Sequence, residues 1–124
     1  MSKKVMVVDD SRIVQLQLQK ILSDTEYQVV ACCRSGEEAL EQYGTMKPDL
    51  VTLDIVMPGM DGLETCKKLR EHYPEANIFM VSSMAYDDMI DRAAALGAKG
   101  FLFKPFTRET LLEGLKGAFK AIHM

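Results

Sequence analysis

Short apolar runs alternate with amphipathic stretches along the whole chain. The first run, Val5–Val8, reads as a buried strand and stops at two adjacent carboxylates, Asp9 and Asp10. Ile13, Leu16, Ile21 and Leu22 then recur at roughly helical spacing and predict a first helix. Gln28–Cys33 reads as a second strand. Ser35-Gly-Glu-Glu38 has the form of a capping box and opens a helix to about Met46, which Lys47-Pro48 breaks. Leu50–Leu53 is a third strand, ending at Asp54. Asp61-Gly-Leu-Glu64 opens a helix to about Tyr73, stopped by Pro74. Ile78–Val81 is a fourth strand, ending at Ser82. A helix from about Tyr86 to Leu96 stops at Gly97, which suits a left-handed C-terminal position. Gly100–Phe103 is a fifth strand, ending at Lys104-Pro105. Thr107 is the expected N-cap of the last helix. That helix contains Gly114 and Gly117, each costing roughly 1 kcal/mol against Ala.

Strict strand–helix alternation predicts an α/β fold, a doubly wound five-stranded parallel sheet. The strands are apolar throughout, as expected when helices cover both faces. Right-handed crossovers bring the strand C-termini to one edge, where ligands of open α/β sheets bind. The 124 residues suit one domain, 1–124, with no repeat or linker. At 48% hydrophobic and 27% charged residues, the chain can build a core without disulfide or metal staples. A net charge of -3 without a basic footprint argues against direct nucleic-acid binding. No stretch is long and apolar enough to insert in a membrane. The start, MSKK, runs straight into the first strand, so no signal peptide is expected. Three cysteines, Cys32, Cys33 and Cys66, lack metal-ligand spacing and suggest the cytoplasm, and Cys32 and Cys33, in a predicted strand, read as packing residues.

The predicted strand ends gather chemistry. Asp9 and Asp10 follow the first strand, Asp54 the third, Ser82 closes the fourth and Lys104 the fifth. Two unit charges about 4 Å apart repel by roughly 4 kcal/mol at an effective dielectric of about 20. Three carboxylates at one rim therefore call for a proton or a cation. A hard cation with oxygen ligands fits, and magnesium uses one or two carboxylates, keeps several waters and binds phosphate. Asp10 and Asp54 are the expected direct ligands, with Asp9 acting through water. Asp54 is the candidate nucleophile toward a phosphoryl group. Lys104 and the Ser82 hydroxyl are placed to meet the transferred oxygens.

The stretches VVDD (7–10), VTLDIVMPGMDG (51–62), MVSS (80–83) and FLFKPF (101–106) closely resemble the receiver domains of two-component response regulators. The resemblance covers nearly the whole chain and is strongest to single-domain, chemotaxis-type receivers. It implies the flavodoxin-like strand order 2-1-3-4-5. It implies Asp54 as phosphoacceptor and a Mg2+ site made by Asp9, Asp10, Asp54 and the backbone carbonyl of Val56. Ser82 and Lys104 become the phosphate-binding pair, and the bond before Pro105 is expected to be cis. A sensor histidine kinase is the implied phosphodonor. A downstream protein is expected to bind the face made by the last two helices and the fifth strand. Phe101 holds the position of the switching aromatic and lacks a hydroxyl, so its switch works by packing alone.

Duller roles compete residue by residue. Asp9 could cap the first helix, Asp54 could be a turn residue before Pro58-Gly59, Ser82 a core-edge hydroxyl and Lys104 a solvated lysine. The doublet exceeds what a cap needs, and the four motifs occur together. His72, near a helix end, and His123 are read as structural or surface residues. Met57, Met60 and Met84 lie around the proposed site and suit gap-filling. A sharper expectation is that Val56 and Met84 flank the acyl phosphate and keep water from it, giving a long-lived phosphorylated state.

A phosphatase with an Asp nucleophile would need a second catalytic carboxylate where Val56 stands, and a cap domain. A flavin carrier would need a phosphate-cradling loop where DDSR stands. A phosphorylation-independent scaffold does not explain the acidic set. The expected function is thus a phosphorylation-controlled binding module, not an enzyme acting on an external metabolite. Chemotaxis is the first choice of pathway. A phosphorelay intermediate that hands phosphate to a histidine phosphotransfer protein is the alternative, as is the receiver part of a longer regulator.

Overall fold

The computed structural model describes residues 3–83 and 87–122. Its elements are β1 (Lys3–Val8), α1 (Arg12–Leu22), β2 (Tyr27–Cys33), α2 (Gly36–Met46) and β3 (Leu50–Leu53). They continue with α3 (Gly62–His72), β4 (Ile78–Ser82), α4 (Asp87–Ala95), β5 (Gly100–Phe103) and α5 (Arg108–Ile122). The strands form one parallel sheet in the order β2-β1-β3-β4-β5. The order reverses between β1 and β3, which leaves a crevice beyond their C-terminal ends.

Caps start the helices where the sequence places short polar side chains. Ser35 Oγ accepts from Glu38 N at 3.1 Å, and Asp61 Oδ1 accepts from Glu64 N at 2.9 Å. Thr107 Oγ1 accepts from Thr110 N at 3.1 Å. Each such cap contributes about 1 kcal/mol. The α2 box departs from the reciprocal form: Glu38 Oε2 accepts from Arg34 N, one residue before the cap. Ser11, unnoticed in the sequence, caps α1 by accepting from Val14 N at 3.3 Å. α2 ends with Lys47 in the left-handed region at φ 46°, and Gly97 after α4 lies at φ 93°.

Alternation along the strands splits the core into two layers. Met6, Val8, Val51, Leu53 and Met80 face α2, α3 and α4. Val5, Val7, Leu50, Phe79 and Val81 face α1 and α5. The sheet reaches further than the apolar runs suggest, because parallel pairing continues where a partner is present. β1 starts at Lys3 opposite Tyr27, and β4 includes Ser82 opposite Phe103. Tyr86, the expected start of the fourth helix, lies outside the described residues.

The apolar stripe of α1 needs correction. Gln15, Leu18 and Leu22 are its buried residues, whereas Ile13 and Leu16 are 71% and 49% exposed. Ile13 and Leu16 lie on the side of the helix away from Leu18 and Leu22.

One irregularity interrupts the sheet. β1 residues Lys3–Val5 pair with 27–29, but Met6 pairs with Ala31, so Val30 is skipped. The skip changes which face the residues of β2 serve. Tyr27 and Val29 pack in the α1/α5 layer, whereas Ala31 and Cys33 pack in the other. Cys33 and Cys66 are buried and free, and burial pushes their thiols up to about 12 and about 11. Cys33 is a packing residue, as expected, and Cys66 packs in the same core layer.

Candidate acidic site at the strand ends

β1 and β3 are neighbours, and Val8 stands opposite Leu53. Asp9 and Asp54 therefore leave adjacent strands at the same level. One further rung holds each: Asp9 N donates to Cys33 O and Asp54 N donates to Val8 O, both at 3.0 Å. The side chains follow the strand alternation onto one side of the sheet. Asp9 and Asp54 are 2% and 5% exposed, whereas Asp10 is exposed. Carboxylate oxygens of all three lie within 4.8 Å of one another.

Lys104, at the end of β5, reaches back into this group. Its Nζ is 2.7 Å from Asp9 Oδ2 and 3.4 Å from Asp54 Oδ2. Asp9 Oδ1 accepts from Ser11 N at 2.9 Å, and Asp54 Oδ1 accepts from Val56 N at 3.4 Å. Three carboxylates thus face one ammonium. The balance shows at Asp54, whose pKa is raised from its ordinary value. Burial is the main cause and the Asp9 charge adds to it, against the lowering effects of Lys104 and the Val56 N–H. The donor set is all oxygen, negatively charged and incompletely neutralised. It suits a hard divalent cation such as magnesium.

Gly62 fixes the backbone behind Asp54. Its N–H donates to Ile55 O at 2.7 Å, and a Cβ there would collide with the Asp54 carbonyl oxygen. The first turn of α3 can approach the loop after β3 only because this residue is glycine. The Pro-Gly-Met-Asp-Gly run carries that requirement in the sequence.

The remaining expected residues fall as follows. Ser82 is fully buried at the end of β4, the strand beside β3, and its carbonyl accepts from Lys104 N at 3.0 Å. Val56 is 52% exposed. The Lys104–Pro105 peptide bond is cis. Phe101 is half-buried, packs on the α2/α3/α4 core layer and has its ring 5.3 Å from that of the exposed Phe103. Met57 is a core residue. His72 ends α3 and is exposed. Met84 and His123 lie outside the described residues. No helix among the described residues is long and apolar enough to cross a membrane.

Sequence reasoning missed Gln15. It is 2% exposed, and its Nε2 donates to Asp9 O at 2.8 Å and to Cys33 O at 3.3 Å. The available signal is positional: treated as apolar, it extends the buried stripe of Leu18 and Leu22.

The family described as the response regulator receiver domain matches residues 5–116. The chemotaxis protein CheY of Listeria monocytogenes (serovar 1/2a, strain EGD-e) is 40% identical over 117 residues, covering 94% of this chain and 98% of that protein. CheY of Thermotoga maritima is 37% identical over 120 residues, covering 97% and 100%. Among solved structures, the CheX–CheY–BeF3–Mg2+ complex from Borrelia burgdorferi superposes with a TM-score of 0.90 at 31% identity. That match covers 94% of this chain and 88% of the other.

Proposed function

Because the chain belongs to the response regulator receiver domain family and is closely related to CheY chemotaxis proteins, we propose that Asp54 accepts a phosphoryl group from a histidine kinase and thereby switches a protein-binding surface. The observation that carries this reading is the buried Asp54 carboxylate at the end of the central strand, with Lys104 Nζ 3.4 Å away and two more carboxylates beside it.

An Asp54 carboxylate oxygen attacks phosphorus, and the P–N bond of the donor phosphohistidine breaks. Its electron pair returns to the imidazole. Lys104 releases its hold on Asp54 to meet the phosphoryl oxygens, and the Ser82 hydroxyl donates a further hydrogen bond to them. Phosphoryl transfer of this kind depends on positioning and charge stabilisation. Asp10, Asp54 and the Val56 carbonyl are the residues to hold magnesium, with Asp9 acting through water. When bound, the ion supplies charge neutralisation for the transferred oxygens. The domain promotes its own phosphorylation and dephosphorylation and turns over no external metabolite.

The phosphate adds roughly -1.5 to -2 charge. It draws Ser82 toward it, and Phe101 repacks against the core. The surface formed by α4, β5 and α5 then binds a downstream partner in chemotaxis signalling. That a superposable CheY forms a complex with CheX, BeF3 and Mg2+ supports a receiver that binds magnesium and a protein partner. The free thiols suit the reducing cytoplasm.

The test is intact-mass analysis after incubation with acetyl phosphate, with and without magnesium, on this protein and on Asp54→Asn. A single phosphate adduct that requires magnesium and is absent from the variant is expected. Failure of the unsubstituted protein to form it would sink the reading. Phosphate lifetime provides a second check. Replacing Val56 and Met84 together by Asn is expected to admit water and shorten the lifetime roughly tenfold, about 1.4 kcal/mol of barrier. An unchanged lifetime would show that these side chains do not screen the acyl phosphate.

A further inference from the structure

Among the buried residues of α1, Gln15 is the polar one, and its amide bonds to the strand ends and to its own helix. Nε2 meets two carbonyls, Asp9 O and Cys33 O, while Oε1 accepts from Arg12 Nη1 at 3.1 Å. With carbonyls on one side and a guanidinium on the other, the chemistry admits one orientation of the amide.

The consequence lies one residue further on. Asp9 is held at every polar group: its N–H by Cys33 O, its carboxylate by Ser11 N and Lys104, its carbonyl by Gln15. Asp10 is exposed, and its carboxylate makes no hydrogen bond or ion pair among the described residues. With no side-chain partner among the described residues to hold it, the region that carboxylate can reach is set by the backbone that delivers it. The peptide unit is planar, so fixing the Asp9 carbonyl fixes the nitrogen and Cα of Asp10 as well.

We propose that Gln15 is the positioning residue of the cation site: through the Asp9 carbonyl it sets the Asp9–Asp10 peptide and aims the Asp10 carboxylate toward Asp54. This inference rests on the magnesium reading of the site. Gln15 touches neither the cation nor the phosphoryl group. It acts on the residue before the ligand Asp10, one step behind the outer partners of ligands, whose loss commonly lowers metal affinity 10- to 100-fold.

The experiment is a calorimetric Mg2+ titration, without phosphodonor, of the full chain, Gln15→Met, Asp10→Asn and the double variant. Met keeps the length and removes both donors. Gln15→Met is expected to weaken Mg2+ binding about tenfold. In the Asp10→Asn background the same change should cost less than about twofold, because no carboxylate is left to aim. Equal losses in both backgrounds would mark Gln15 as a merely structural residue and overturn the proposal. Should Gln15→Met fail to fold, the unsubstituted protein still decides by NMR. The Gln15 side-chain amide signals are expected to move with the same Mg2+ midpoint as the heat, and signals that stay put overturn the proposal. If magnesium binds, is weakened by Asp10→Asn and ignores Gln15→Met, this inference alone falls. If the unsubstituted protein does not bind magnesium, or Asp10→Asn binds it equally well, the reading of the site falls too.

Discussion

Asp54 is opposed in its ionisation by burial and by Asp9, and helped by Lys104 and the Val56 N–H; the opposition prevails and its pKa rises. The folded chain then binds a proton at Asp54 more tightly than the unfolded chain. Between the ordinary value of 3.8 and the raised one, stability falls as pH increases, and the full penalty applies above that window. Asp54→Asn is therefore expected to raise the unfolding temperature at neutral pH in magnesium-free buffer. The gain should fade in melts taken below the ordinary carboxylate range. Lys104 makes the opposite case. Lys104→Met leaves two buried carboxylates without their cation and is expected to cost about 3 kcal/mol in denaturant unfolding. Saturating magnesium should recover much of that loss, and a deficit indifferent to magnesium would argue against a cation site. Asp9, Asp54 and Lys104 were legible because a charge that ends an apolar strand advertises itself. Gln15 was not, since a single amide on a buried helix face resembles any surface glutamine until its partners, six and eighteen residues away, are in place.

Elements were legible where their signals are local. The caps at Ser35, Asp61 and Thr107 and the stop at Gly97 depend on neighbouring residues. Which face of α1 is buried depends on the sheet beneath it, and there Ile13 and Leu16 misled. The two glycines of α5 show the same limit. By propensity they cost alike, but their surroundings differ. A Cβ on Gly114 would lie 2.7 Å from Cζ of Phe79, a ring that Gly100 also accommodates from β5. A Cβ on Gly117 meets nothing within 4 Å. Gly117→Ala is thus expected to stabilise the protein by about 1 kcal/mol. Gly114→Ala should destabilise it by roughly 1–3 kcal/mol through overpacking. Chemical denaturation of both variants checks the pair, and like-signed changes would contradict the contact with Phe79.

At the scale of the whole molecule, alternation alone led to the α/β class, and the strand order came with the family resemblance. The structure agrees with both. What the order achieves is convergence: Asp9 and Lys104, 95 positions apart, meet as an ion pair. Residue count between strand ends then matters as much as residue type. The skipped Val30 bears on this, since β2 holds one residue more than its pairing with β1 uses. Deleting Val30 would leave Val29 and Ala31 opposite Val5 and Met6 as consecutive rungs, with Cys33 still facing Val8. Deleting one residue from β3, whose pairing with β1 is unbroken, would turn Asp54 to the other face of the sheet. The chain should therefore tolerate shortening at Val30 far better than within β3. A lineage of such proteins could lose that position and keep its chemistry.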